Sequence, residues 1–122
     1  MQNELIIYTK KATANNIILL PTNKGIDVVD INTIIRIEAS SNYSKLFFIN
    51  NKTLVMAKVL HWFEGQLAAG RFFRIHRTHL INKNFIQLYS NDGKVKLLNG
   101  EWIDVSKRKR AFFLKYWYAN SA

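Results

Sequence analysis

The sequence predicts a mostly β fold of several small, largely antiparallel sheets with two short helices. Short runs of β-branched and aromatic residues recur along the chain, and Asn, Asp and Gly separate them. This pattern is typical of strands joined by hairpins. Helical periodicity is confined to one segment in the middle of the chain and one at its end. With 122 residues, of which 48% are hydrophobic, the chain fits one domain and one main core.

Domain boundaries are predicted from polarity and pattern. Residues 1–14 are polar apart from Leu5-Ile6-Ile7, and predict an N-terminal tail or linker. One domain is expected at 15–118, with a C-terminal tail at 119–122.

Five strands are predicted in the N-terminal half. Pro21 stops the first run, Asn23-Lys24-Gly25 forms a turn, and Asn50-Asn51 closes the fourth run. The fifth run is expected to return and pair with the fourth as a hairpin. The five predicted strands are Ile17–Leu20, Ile26–Ile31, Ile34–Glu38, Tyr43–Ile49 and Thr53–Met56.

The period then changes to that of a helix. Val59, Leu60, Phe63 and Leu67 follow helical spacing and share one face. This helix is predicted to end near Ala68-Ala69-Gly70, because glycine suits the position after the C-cap.

Strands resume in the C-terminal half and lead into a second helix. Asn91-Asp92-Gly93 and Asn99-Gly100 are the intervening turns, and Asn-Gly between alternating segments is a strong hairpin signal. Ser106 is a good N-cap for the last helix. On that helix the pairs Phe112/Tyr116 and Phe113/Trp117 are four residues apart and form an aromatic face. The strands predicted here are Phe72–Ile75, Phe85–Tyr89, Lys94–Leu97 and Glu101–Val105.

Charge is distributed unevenly along the chain. The net charge is +10, of which residues 1–70 carry +2 and residues 71–122 carry +8. A basic half on a small domain is the electrostatic footprint of a protein that binds a polyanion.

Composition also excludes several classes of protein. There is no cysteine, which excludes disulfides and thiolate metal sites and makes a reducing cytoplasm the simplest setting. No apolar run reaches 18 residues and no secretory signal is present. The acidic residues are scattered, and no catalytic or nucleotide-binding motif occurs. We therefore expect no enzyme, no metal and no cofactor.

The stretch from Phe72 to Asn82 points most directly to DNA. Phe73 and Ile75 can bury on one face while Arg74 and His76 point the other way. Arg77, Thr78 and His79 follow directly, and such side chains suit guanine edges and phosphates. On a continuing strand His76 and His79 would face opposite sides, which argues against a shared metal. Taken alone, the stretch fits a solvated amphipathic strand about equally well.

Two further segments suit an anionic partner. Lys107-Arg108-Lys109-Arg110 lies on the first turn of the last helix, where cations oppose the macrodipole unless a phosphate is bound. The segment Ser40–Lys45 is a polar loop that leads into a strand, and it is equally typical of an ordinary turn.

The order of these elements resembles the LytTR-type DNA-binding domain of LytR/AlgR-type bacterial response regulators. The specific part is Phe73-Arg74-Ile75-His76-Arg77-Thr78 followed by Ile81-Asn82. The resemblance covers about residues 17–117. Its other matching segments are Ile34–Ala39, Asn42-Tyr43, Leu60–Leu67, Leu98-Asn99-Gly100 and Ile103–Arg108.

The resemblance implies a mostly β fold that reads double-stranded DNA with loops in place of a recognition helix. Carried over by position, the base contacts are Tyr43, Arg77 and Arg108. The residues implied to contact the DNA backbone or support the loops are Ser44, Lys45, Arg74, His76, Thr78, His79, Lys107 and Lys109.

The resemblance also implies partners. Family members usually bind imperfect direct repeats in promoters as paired protomers, so a homodimer on DNA is expected. Many carry an N-terminal receiver domain controlled by a sensor kinase. This sequence includes none, which is consistent with an output domain of a response regulator or with a stand-alone regulator.

Three other classes remain as alternatives. A basic module that docks an acidic protein is the second hypothesis. RNA binding requires a row of exposed sheet aromatics, and the sequence does not place Tyr43, Phe47 and Phe48 in such a row. A membrane-surface role is the least favoured, because neither helix has the pattern of a basic amphipathic anchor.

Overall fold

The computed structural model describes residues 16–67 and 70–120. The tail predicted at 1–14 lies outside the described residues, as do the last two residues of the tail predicted at 119–122. The described strands are β1 (Ile17–Thr22), β2 (Gly25–Asp30), β3 (Ile34–Ser40), β4 (Tyr43–Phe48), β5 (Thr53–Met56), β6 (Phe72–His76), β7 (His79–Asn82), β8 (Ile86–Tyr89), β9 (Lys94–Leu97) and β10 (Trp102–Asp104). The α-helices are α1 (Leu60–Gln66) and α2 (Lys107–Asn120), and single 3-10 turns lie at Ile31–Thr33 and Lys83–Phe85.

The strands form three antiparallel sheets, which confirms the predicted fold class. The largest has the strand order β5-β4-β3-β7-β6 and is flanked by a β1–β2 hairpin and a β8-β9-β10 sheet. The predicted β4–β5 and β9–β10 hairpins both form. At the second of these Gly100 has φ +94°, a left-handed conformation that glycine adopts without a steric penalty.

The core is divided in two, where the sequence predicts a single one. One cluster packs α1 and the β1–β2 hairpin against the large sheet, with Phe63 at its centre. The other packs α2 and the β8-β9-β10 sheet against it, and Phe73 contacts the rings of Phe113, Tyr116 and Trp117 there. Ile35 on β3 belongs to the second cluster, whereas Ile34 and Ile37 on the same strand belong to the first. The large sheet is therefore buried on both faces.

Several boundaries differ from the predicted ones. Helix α1 ends at Gln66 because Leu67 is already extended, so the predicted end at 68–70 is too late and partly outside the described residues. Val59 is exposed at the N-cap position, so it is not part of the apolar face. The sequence does not predict strand β7. In the structure the chain reverses after His76 through the two-residue turn Arg77-Thr78, and β7 pairs with β6.

A partly buried ion pair joins the large sheet to the β8-β9-β10 sheet. The Arg36 side chain is 7% exposed and donates to Glu38 at 2.7 Å and to both carboxylate oxygens of Glu101 at 3.0 and 2.9 Å. Its guanidinium also lies 3.7 Å from the centre of the Phe47 ring. The hydrogen bonds from Arg36 hold the pKa of Glu101 below its usual value.

Replacing Glu101 by Gln is expected to lower the free energy of unfolding at pH 7 by about 1–2 kcal/mol, because charge-assisted hydrogen bonds to Arg36 are weakened. The folded pKa of Glu101 lies below its ordinary 4.5. The contribution of the ionised Glu101 carboxylate to the free energy of unfolding is therefore complete above pH 4.5. It disappears as the pH falls through the folded pKa of Glu101. Urea unfolding at pH 7 and in acid measures both effects. Asp104→Asn is the control, since that carboxylate is 69% exposed and 4.0 Å from Lys94.

Candidate nucleic-acid interface

Three segments that are distant in sequence meet at one end of the large sheet. The β3–β4 turn and the β6–β7 turn lie at the same end because β3 and β7 are antiparallel neighbours. The Ala39 N–H donates to the Thr78 carbonyl at 2.9 Å, which joins the two turns. The Ser106 N–H donates to the Ile75 carbonyl at 2.9 Å, which places the start of α2 beside the end of β6.

A basic groove of about 510 Å³ opens between the β6–β7 turn and the first turn of α2. Arg77 and Arg108, both predicted base contacts, are exposed and line the same groove. Among the described residues that line it, none is acidic. The lining consists of Arg74, His76, Arg77, Ser106, Arg108 and Lys109.

The β6–β7 turn is held from below by Arg74. The Arg74 guanidinium donates to the carbonyl of His76 at 3.1 Å and to that of Arg77 at 2.6 Å. Its remaining terminal nitrogen lies 2.7 Å from a carboxylate oxygen of Glu64 on α1. The guanidinium is bound to the turn and to Glu64, an arrangement that suits loop support by Arg74.

The two histidines flank the turn on the same side of the sheet, so the expectation that they face opposite sides is wrong. They are directly paired across the β6–β7 hairpin, and their rings are 5.4 Å apart. His76 Nδ1 accepts a hydrogen bond from the Thr78 N–H at 3.1 Å and lies 2.9 Å from the Thr78 hydroxyl. Burial lowers the pKa of His79, which favours the neutral form of its ring. The His79 Nδ1 atom is buried without a hydrogen-bond partner.

The β3–β4 turn carries the third predicted contact. Ser41 has φ +58° in this two-residue turn, and Tyr43 is exposed at the start of β4. Tyr43 lines a separate groove of about 520 Å³, so it shares the end of the sheet with Arg77 but not the same groove. Lys45 is exposed on the same strand. The Ser44 side chain is buried at 0% exposure and donates to the Lys58 carbonyl at 2.6 Å, which ties β4 to the segment between β5 and α1.

Helix α2 begins as predicted with four consecutive cations and no acidic residue in its first turn. Lys107 and Arg108 are exposed, and Lys109 is partly exposed beside the groove. Arg110 differs, since its Nε donates to the Val105 carbonyl at 3.1 Å. Its guanidinium covers Gly93, where a Cβ atom would overlap it and where φ is +84°. Arg110 therefore fixes the helix against the sheet.

Glu64 is the residue near the groove that the sequence does not suggest. It is ten residues from Arg74 and lies on the polar side of a short helix, so spacing gives no signal for their contact.

Within the described ranges, no group of three His, Cys, Asp or Glu residues is arranged to hold a metal ion. Neither described helix combines the length and apolarity needed to cross a membrane.

Comparison with known proteins supports the sequence resemblance. A family model for the LytTr DNA-binding domain matches residues 24–117, more than half of the chain. The chain is also similar to the solved LytTr DNA-binding domain of a methyl-accepting/DNA response regulator from Bacillus cereus, with a TM-score of 0.70 and 25% sequence identity. That similarity covers 83% of this chain and 95% of the other. No curated protein matches the chain.

Proposed function

The chain belongs to the LytTR family of DNA-binding domains, and from that premise we propose that it recognises specific double-stranded sequences in bacterial promoters. The family is not catalytic and acts in transcriptional regulation. The observation that carries the proposal is the pairing of exposed Arg77 and Arg108 in one groove without acidic lining residues.

In the proposed complex, the two arginines read base edges and the lysines around them contact phosphates. An arginine fork matches the O6 and N7 atoms of guanine in the major groove. Tyr43 reaches a neighbouring part of the site from the β3–β4 turn. Lys45, Lys107 and Lys109 supply affinity that does not depend on sequence. Two protomers bind successive direct repeats as a homodimer on DNA.

The proposed setting is the bacterial cytoplasm. There the domain acts as the output domain of a response regulator, or as a stand-alone regulator. The similar domain from Bacillus cereus is part of a response regulator, which favours the first setting. In that setting a receiver domain and a sensor kinase control the domain.

Selection of random duplex DNA by the purified chain, followed by sequencing, tests the proposal. We expect enrichment of a short motif repeated at about one helical turn, roughly 10–10.5 base pairs. Log affinity should fall linearly with log salt. The slope should be about −2.7 if Lys45, Lys107 and Lys109 each neutralise one phosphate.

Two outcomes would contradict the proposal. Salt-sensitive retention of DNA without any enriched motif would leave a basic domain that binds DNA nonspecifically. Tighter binding to acidic polypeptides than to DNA would favour the protein-interaction alternative. Exposed aromatic side chains at the end of the last helix would favour that alternative, but Trp117 packs against Phe73 and Phe113 in the second core cluster.

A further inference from the structure

We propose that Glu64, an acidic residue beside a surface that binds a polyanion, is a positioning residue required for sequence recognition. It acts through Arg74 on the β6–β7 turn that carries Arg77. This inference rests on the proposed function of that turn. It adds Glu64, an acidic residue on helix α1, to the residues needed for recognition, although Glu64 itself would not contact DNA.

The geometry forms a chain of contacts from helix to turn. Glu64 holds one terminal nitrogen of Arg74 at 2.7 Å. The other nitrogens of the same guanidinium bind the carbonyls of His76 and Arg77 at 3.1 and 2.6 Å. A planar guanidinium fixed at one corner has little freedom at the others, so Glu64 sets the position of both carbonyls.

The surrounding charges explain why this carboxylate is needed. Arg74 lines a groove with Arg77, Arg108 and Lys109. Repulsion within this group favours turning the Arg74 side chain outwards, and bound phosphates would attract it further. Glu64 is 35% exposed and is the acidic partner that keeps Arg74 inward, under the turn.

Positioning by Glu64 and simple electrostatics predict opposite changes in the affinity for cognate DNA when the Glu64 carboxylate is removed. Removing a carboxylate near a DNA-binding surface lowers repulsion of phosphates, so charge alone predicts tighter binding to every DNA sequence. Loss of positioning predicts weaker binding to the cognate site, with random DNA unchanged or slightly better bound.

Two substitutions separate charge from hydrogen bonding. Glu64→Ala and Glu64→Gln remove the same charge, but Gln keeps an oxygen that can accept from Arg74. We expect Glu64→Ala to weaken cognate binding about tenfold and Glu64→Gln to retain most of it. Asp104→Asn is the charge-matched control, because its carboxylate is exposed and pairs with Lys94 at 4.0 Å. It should leave specificity unchanged.

A measurement without DNA separates this inference from the proposed function. Amide NMR spectra should show shifts and faster hydrogen exchange at Arg77 and Thr78 in Glu64→Ala, and no such change in Asp104→Asn. If these shifts occur but the wild-type chain selects no DNA motif, the proposed function is overturned. The positioning of the β6–β7 turn by Glu64 through Arg74 would still hold. Unchanged turn amides, or cognate binding by Glu64→Ala as tight as that of the wild type, would overturn the role of Glu64. A thermal unfolding curve for each variant identifies any loss of binding that comes from unfolding.

Discussion

Arg77→Ala is expected to weaken binding to the cognate site about 5- to 150-fold, equivalent to roughly 1–3 kcal/mol for one lost base contact. Binding to random DNA should fall much less, because only one of several cations is removed. The expectation rests on two features of Arg77. Its side chain is exposed in the basic groove, and its carbonyl is held by Arg74, so the backbone is fixed while the side chain can reach out.

Titration of cognate and random duplexes at one fixed salt concentration measures the ratio of affinities. Lys52→Ala is the control, since Lys52 is exposed in the β4–β5 turn at the opposite end of the large sheet. It should alter neither affinity by more than about twofold. Equal weakening of cognate and random DNA by Arg77→Ala would show that Arg77 contacts a phosphate and reads no base.

Asn82→Ala is expected to lower the free energy of unfolding by about 2–4 kcal/mol. Asn82 is 1% exposed, and its amide nitrogen donates to the carbonyl of Ile34 at 2.9 Å and more weakly to that of Ile31 at 3.4 Å. Its side-chain oxygen accepts from the Asn84 N–H at 3.0 Å and caps a 3-10 turn. Alanine would remove these hydrogen bonds, and the Ile31 carbonyl would keep only its bond from the Ile34 N–H.

Urea unfolding followed by circular dichroism measures this effect. Asn82→Asp retains an acceptor for the Asn84 N–H but has no N–H to offer the two carbonyls, so it should also be strongly destabilised. Asn84→Ala is the control, because the Asn84 side chain is exposed, and it should change stability by less than about 0.5 kcal/mol. A similarly small change in Asn82→Ala would show that water or neighbouring groups replace its hydrogen bonds.

The fold class and most hairpins could be predicted because their signals are local. Alternation at Phe73 and Ile75 predicts a buried face, and both residues are buried. Asn99-Gly100 predicts the β9–β10 hairpin, which forms around it. Such signals depend on side chains a few residues apart and on the backbone preferences of Asn and Gly. Strand β7 could not be predicted in this way, because a two-residue turn of Arg and Thr carries no such signal.

For the candidate site, the sequence by itself determined which segments are basic and polar, and the resemblance supplied candidate positions for Tyr43, Arg77 and Arg108. The tertiary structure alone decided that Arg77 and Arg108 share one groove while Tyr43 lies in another. It also decided that Arg74 is held by Glu64 under the turn. The physical reason is that charge and turn preference belong to single residues and their neighbours. The partner of a guanidinium instead depends on which strands and helices the fold brings together.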